Sequence, residues 1–134
     1  METFEHYALQ LRSVRPLVYT AMSKHLFYYR MFISKFVLER EAIPLNPFVS
    51  CDYFLLDSVD RNVVREGNNN LVKRADELWV FGPVSNGVLA EIHIAKEMGK
   101  PVRYFKVEKS SSIVEISKAN AELESDVVQF ANTL

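Results

Sequence analysis

The stretch Asp76-Glu77-Leu78-Trp79-Val80-Phe81-Gly82-Pro83-Val84-Ser85-Asn86-Gly87-Val88-Leu89-Ala90-Glu91, continued by Ile92 to Gly99 and Lys100-Pro101-Val102-Arg103-Tyr104-Phe105-Lys106, decides the fold. Leu78 to Phe81 is a short apolar and aromatic run closed by Gly82-Pro83, which cannot continue a strand, so it reads as a buried strand. Ser85 or Asn86 caps a helix that runs to about Met98, where Gly99 supplies a left-handed stop and Pro101 follows. Val102 to Val107 returns as a second strand. A strand-helix-strand unit of about 30 residues is a right-handed βαβ crossover, and ligands of such sheets bind at the carboxyl ends of the strands. Ser85, Asn86 and Glu91 fall there.

At about 100° per residue, Val88, Leu89, Ile92, Ala95 and Met98 form an apolar stripe that faces the sheet. Glu91 lies inside that stripe, between Ala95 and Met98, while Lys96, Glu97 and Lys100 lie away from its centre. Two readings of Glu91 follow. A carboxylate in the first two turns, turned inward beside a strand end, is partly desolvated and shares a crevice with the free backbone N–H groups of the helix start. Alternatively, it complements the helix dipole and reaches outward to water.

Working outward, Pro16 to Ala21 reads as the first strand, with Tyr19 near its carboxyl end, and Thr20 to His25 as the first βα loop. Leu26 to Arg40 reads as a helix carrying Phe27, Met31, Ile33, Phe36, Val37 and Leu38. Glu41 to Pro47 reads as an irregular or edge strand, because Pro44 cannot donate to a ladder, leaving through an Asn-Pro turn. Ser50 to Arg65 and Gly67 to Arg74 hold Tyr53, Phe54, Leu55, Leu56, Val59, Val63, Val64, Leu71 and Val72 at mixed helical spacing, with a break at Glu66 to Asn70. Arg61, Arg65 and the asparagines Asn68, Asn69 and Asn70 suit phosphate or sugar hydroxyl recognition; their plainer reading is helix-surface charge plus a turn. The sequence predicts an N-terminal helix over residues 1–14, with Phe4, Tyr7, Ala8 and Leu11 on one side, a loop at Glu108 to Ser112 and a C-terminal amphipathic helix over 113–133.

Helix and strand therefore alternate through the chain. This predicts an α/β fold: one small doubly wound, Rossmann-like three-layer domain with a parallel sheet of about four to five strands. At 134 residues and 49% hydrophobic content, the chain can bury a single core. Its net charge of −1, from 16 basic and 17 acidic residues, provides no global field for nucleic acid or an anionic membrane. The lone Cys51 excludes an internal disulfide framework and a thiolate zinc site, and reads as a small buried hydrophobe or a reactive thiol. No G-x-G-x-x-G or Walker A motif and no metal cluster is present, so neither cofactor nor metal is expected. Glu2, Glu5, His6, Arg12 and Arg15 interrupt any signal-peptide core, and no apolar stretch approaches about 18 residues, so a cytoplasmic location is expected.

Ala75-Asp76-Glu77-Leu78-Trp79-Val80-Phe81-Gly82, then Ser85-x-Gly87-x-x-x-Glu91 and Ala95-Lys96-Glu97-Met98-Gly99-Lys100-Pro101-Val102, resemble the nucleoside 2-deoxyribosyltransferase-like superfamily across roughly residues 16 to 107. The resemblance implies hydrolysis or transfer at the N-glycosidic bond of a (deoxy)nucleoside or its 5′-monophosphate. In the monophosphate N-glycosidases of that superfamily the glutamate of the S-x-G-x-x-x-E element is the nucleophile and its serine contacts the 5′-phosphate, roles that fall on Glu91 and Ser85. The first-strand tyrosine near the nucleophile maps onto Tyr19. Asn86, Gly87, Arg65, Asn69 and Asn70 are the remaining candidate substrate contacts. The scheme has the two-step logic of a retaining glycosidase, with a covalent glycosyl-enzyme resolved by water or a second base.

Two departures from that pattern bear on the chemistry. Asn68-Asn69-Asn70-Leu71 stands where the superfamily usually carries an aspartate, and the loop Thr20 to His25 has no glycine. An asparagine cannot deliver a proton, which leaves that task to another acid such as His25 or Asp57, or leaves a module that binds a nucleotide without turning it over. A phosphoribohydrolase reading lacks its P-G-G-x-G-T run. The expected partners are a small nucleoside or nucleotide and further copies of the chain, since relatives complete their sites across subunits; neither a membrane nor nucleic acid is expected.

Overall fold

The computed structural model describes residues 1–51, 58–109 and 112–134. Its strands are β1 (Leu17–Met22), β2 (Ile43–Leu45), β3 (Glu77–Phe81), β4 (Val102–Glu108) and β5 (Ser112–Ile116). They form one sheet in the order β2-β1-β3-β4-β5. The first four are mutually parallel, with Tyr19 level with Leu45 on one side and Leu78 on the other, and β5 returns antiparallel on β4. In β1 every residue after Leu17 is buried, as are the last four of β3, the pattern of strands covered on both faces.

The α-helices that lie wholly within the described residues are α1 (Arg30–Glu39), the single turn α2 (Pro47–Ser50), α3 (Arg61–Arg74) and α4 (Asn86–Glu97). Residues alternate between the two faces of the sheet. Val18, Met22, Trp79, Phe81 and Phe105 meet Ile33, Phe36 and Val37 of α1, whereas Tyr19, Ala21, Leu78, Val80 and Tyr104 meet Val72 of α3 and Val88, Leu89, Ile92 and Ala95 of α4. The result is the three-layer, doubly wound architecture expected from the sequence. From β1 the chain winds through α1 to β2 on one side; from β3 it winds through α4 to β4 on the other. The carboxyl ends of β1 and β3 thus flank the point where winding reverses, which is where a crevice opens in such sheets.

The β3-α4-β4 unit follows its sequence signals closely. Ser85 is the N-cap of α4, its Oγ accepting from the Val88 N–H at 3.3 Å. Gly99 takes a φ of 68°, as a helix stop in the left-handed region does. Gly82 has a φ of 75°, so the turn out of β3 favours glycine; a Cβ there would also displace the end of the Leu26 side chain, whose Cδ1 it would meet at 2.5 Å. Asp76 accepts from the Leu17 N–H at 2.7 Å and its own N–H donates to the Leu17 carbonyl at 2.7 Å, tying the starts of β1 and β3 together. Lys100 Nζ donates to the Ala75 carbonyl beside it.

Elsewhere the chain departs from the sequence reading. The C-terminal helix expected over 113–133 is instead β5 followed by two 3-10 turns, Lys118–Asn120 and Val128–Thr133. Its Ile113, Val114 and Ile116 pair with β4, where Arg103 also grips Glu115 through two hydrogen bonds of 2.8 and 2.7 Å; cross-strand partners outweigh a helical spacing of apolar residues. The expected N-terminal helix is a single 3-10 turn, Tyr7–Gln10, with no buried residue, because a short helix without a packed face is not stable. The helix expected over 26–40 starts as a 3-10 segment, Lys24–Tyr29, and becomes α-helical only at Arg30. The break expected at Glu66 to Asn70 does not occur: α3 runs through it, with Val64 and Val72 buried and the Asn70 side chain donating back to the Glu66 carbonyl at 2.8 Å. Of the helix expected from Ser50 to Arg65, the part from Arg61 onward is the start of α3, whose N-cap is Asp60; Tyr53, Phe54, Leu55, Leu56 and Asp57 lie outside the described residues. Among the described residues no helix is long and apolar enough to cross a membrane.

Candidate functional site

A cavity of about 600 Å³ opens over the carboxyl ends of β1 and β3. Its floor is Glu91, which projects from the second turn of α4 toward β1. There the hydroxyl of Tyr19 donates to Glu91 Oε2 in a short hydrogen bond. Tyr19 is fully buried beneath the cavity, held mid-strand between β2 and β3, so the carboxylate is fixed from below by a rigid element. Glu91 is half-buried: it lines the cavity and is enclosed on the side of Tyr19.

That enclosure sets the electrostatics. Burial pushes the Glu91 carboxyl up to about 7, against the lowering effect of the Tyr19 hydrogen bond. Burial, and then the charge of Glu91, push the Tyr19 phenol well above its ordinary value, so it remains a donor at any physiological pH. A carboxyl poised near neutrality and gripped by a permanent donor is equipped for nucleophilic or acid-base work.

The other walls differ in charge. From α3 come Arg61, Val64, Arg65 and Asn68, the i, i+3, i+4, i+7 stripe of one helix face, and Lys24 and His25 follow β1 on the same cavity. The start of α4 lines it as well, with Ser85, Asn86 and Gly87, whose backbone N–H groups stand at the free end of the helix. Beside that start runs the C-terminal segment: the Val84 N–H donates to the Glu122 carbonyl at 2.8 Å and the Glu124 N–H to the Val84 carbonyl at 2.9 Å, forming a parallel bridge at Leu123. The bridge brings Glu124 and Asp126 onto the cavity. Phe48 of α2 and Cys51 just after it add apolar and thiol surface.

Glu91, Ser85, Asn86, Gly87 and Arg65 all line this one cavity, with Tyr19 directly under Glu91. Of the three asparagines, Asn68 lines it, and Asn69 and Asn70 do not; the Asn70 amide is turned away, accepting from Arg74 Nη1 at 2.9 Å. Asn68 Oδ1 is buried without a hydrogen-bond partner among the described residues. Sequence reasoning singled out His25 and Arg61, and both are on the cavity; Asp57, the other acid considered, lies outside the described residues. It missed Lys24, Glu124 and Asp126. The stripe of Arg61, Val64, Arg65 and Asn68 was open to recognition at helical spacing, whereas Glu124 and Asp126 arrive through a tertiary bridge that no local pattern announces. Among the described residues no group of three or more histidine, cysteine or acidic side chains could hold a metal ion.

The chain belongs to the family described as "Domain of unknown function (DUF7768)", whose profile matches residues 19–105, from Tyr19 of β1 through α4 to β4. No curated protein matches the chain.

Proposed function

We propose that this protein cleaves or transfers the N-glycosidic bond of a (deoxy)nucleoside or its 5′-monophosphate, with Glu91 as nucleophile and Tyr19 as the group that positions it. The observation that carries this reading is the Tyr19–Glu91 pair on the floor of a cavity large enough for a nucleoside. An ionised Glu91 oxygen attacks C1′ and the C1′–N bond breaks, its electron pair leaving with the base, which takes up a proton. Water, or the nitrogen of a second base, then displaces Glu91 and loses a proton. Tyr19 offsets part of the charge that burial disfavours. Ser85, Asn86 and Gly87 at the start of α4 and Asn68 of α3 line the same cavity as Glu91 and supply polar groups for the sugar and the base.

A second reading, binding without turnover, is favoured by Asn68 itself: the amide on this wall can hydrogen-bond a base but cannot protonate it. Base release followed by chromatography, for wild type and Glu91→Gln, over a panel of nucleosides and 5′-monophosphates, decides between them. Release by the wild type alone supports the glycosidase. No release by either, with a nucleotide still raising the melting temperature, replaces it with the binding module. Self-association belongs to the same proposal, supported by the exposed Phe4, Tyr7, Leu11 and Val14 of the N-terminal segment. A monomer by light scattering at micromolar concentration would refute that part.

A further inference from the structure

We propose that Lys24, Arg61 and Arg65 form an anion subsite that takes a phosphate group of the ligand, on the α3 wall of the cavity and not at the start of α4. The inference rests on the nucleoside reading above and assigns the end of the cavity that the phosphate occupies.

Three features of this wall leave its positive charge uncompensated by a carboxylate partner. Arg61 and Arg65 are four residues apart on one face, and like charges at that spacing repel. Both sit in the first half of the helix, near the positive end of its dipole, where the N-cap Asp60 supplies a carboxylate but the first turn itself has none. None of Lys24, Arg61 and Arg65 forms an ion pair with a carboxylate among the described residues, although Glu124 and Asp126 line the same cavity. Arg65 Nη1 is held by the Asn62 side chain at 3.0 Å, a neutral partner that fixes the guanidinium without cancelling its charge. A bound anion would resolve all three features, and guanidinium forks match phosphate oxygens.

The α4 end has the opposite character. Its free N–H groups suit an anion in isolation. Here, however, the bridge at Val84 brings Glu124 to within one residue of the N-cap Ser85, with Asp126 close behind, and both carboxylates line the cavity. A phosphate seated on Ser85 would meet like charge. A sugar hydroxyl would meet acceptors. The cavity is therefore cationic on the α3 wall and acidic on the α4 wall, and a ligand bearing one phosphate orients with that group toward Arg61. Asn68, on the same stripe and with a buried Oδ1 unpartnered among the described residues, continues the polar wall inward.

The test is calorimetric titration of the full chain carrying Glu91→Gln, so that no base is lost, with the four 2′-deoxynucleoside 5′-monophosphates, their parent nucleosides and inorganic phosphate. At least one monophosphate should bind about tenfold or more tighter than its nucleoside, a difference of about 1.4 kcal/mol. Adding Arg61→Gln and Arg65→Gln should close that gap to within about twofold. Ser85→Ala should leave it open, and Arg61→Lys with Arg65→Lys should keep most of it. The unliganded melting temperature should hold or rise in the double glutamine variant, because repulsion is relieved. A gap that survives loss of both arginines, one that closes with Ser85→Ala, or no gap at all overturns the assignment while leaving the glycosidase reading intact. Arginine-dependent binding of inorganic phosphate, with no nucleoside or nucleotide bound, keeps the subsite and sinks the nucleoside reading.

Discussion

On one face of the sheet Phe36, Trp79, Phe81 and Phe105 meet ring to ring; on the other, Tyr19 and Glu91 meet hydroxyl to carboxylate under a cavity. The two faces are made from alternate residues of the same strands. Val18 and Tyr19 are neighbours in β1, yet Val18 enters the aromatic side and Tyr19 the polar one. On the aromatic side the ring centroids of Phe36, Phe81 and Trp79 lie 5.3, 5.0 and 5.1 Å from that of Phe105, and nothing there requires water or a ligand. On the polar side a carboxyl is raised to about 7 by burial, a buried amide oxygen has no partner among the described residues, and two exposed arginines share one face of α3. The contrast teaches that both faces bury an apolar core, and that the second face also holds, at the edge of its core, groups in states that cost free energy.

The largest test of that division is on turnover. Glu91→Gln keeps the shape of the site and a hydrogen-bond acceptor for Tyr19 but removes the nucleophile. Base release should fall by at least about 10³-fold, equivalent to about 4 kcal/mol of transition-state stabilisation. Retention of more than about a tenth of the wild-type rate would break the assignment. On the aromatic face Phe105→Ala should cost about 3–5 kcal/mol of stability by denaturant unfolding. If the division holds, kcat per folded molecule changes little at a temperature where the variant remains folded.

The same Glu91→Gln change should act in the opposite direction on stability. In the folded chain the Glu91 carboxyl is raised from 4.5 to about 7, so the folded state holds its proton more tightly than the unfolded state does. Stability linked to this group is present below about pH 4.5 and is lost as pH rises to about 7. Removing the charge should therefore stabilise the chain by up to about 3 kcal/mol at pH 8 and by nothing near pH 4. Denaturant midpoints of both chains at the two pH values check this, and equal differences at both would contradict it. The smallest effect belongs to Tyr19→Phe. It removes the hydrogen bond that lowers the Glu91 carboxyl, so the acid limb of kcat/KM, expected near pH 7 in the wild type, should move to higher pH, with roughly a tenfold loss of rate below it. An unmoved limb would show that another group controls it.

The same contrast explains what the sequence made legible. The β3-α4-β4 unit could be read because each of its boundaries has a local cause: Gly82 at positive φ, Ser85 as cap, Gly99 as stop and Pro101 after it. The motif that carries the family resemblance divides in two on the structure. Asp76 and Lys100 bond the backbone and hold strands in register, whereas Ser85, Gly87 and Glu91 line the cavity. Tyr19 and Glu91, 72 positions apart, could be placed at the same strand ends by topology, though not in contact. Glu124 and Asp126 were not legible, because β5 and the bridge to Val84 depend on partners distant in sequence and the apolar spacing of the same segment also suits a helix. Gly67 and the asparagines after it look like a break, yet buried Val64 and Val72 carry α3 through them.

The most direct test of the central claim, that Glu91 attacks the sugar, is trapping. A 2′-fluoro-2′-deoxynucleoside slows breakdown of the glycosyl-enzyme, so intact-mass measurement followed by peptide mapping reads the bond itself. The account predicts a single added sugar mass on the peptide that contains Glu91, absent from the Glu91→Gln chain. Base release with no adduct, or an adduct on another residue, would contradict it.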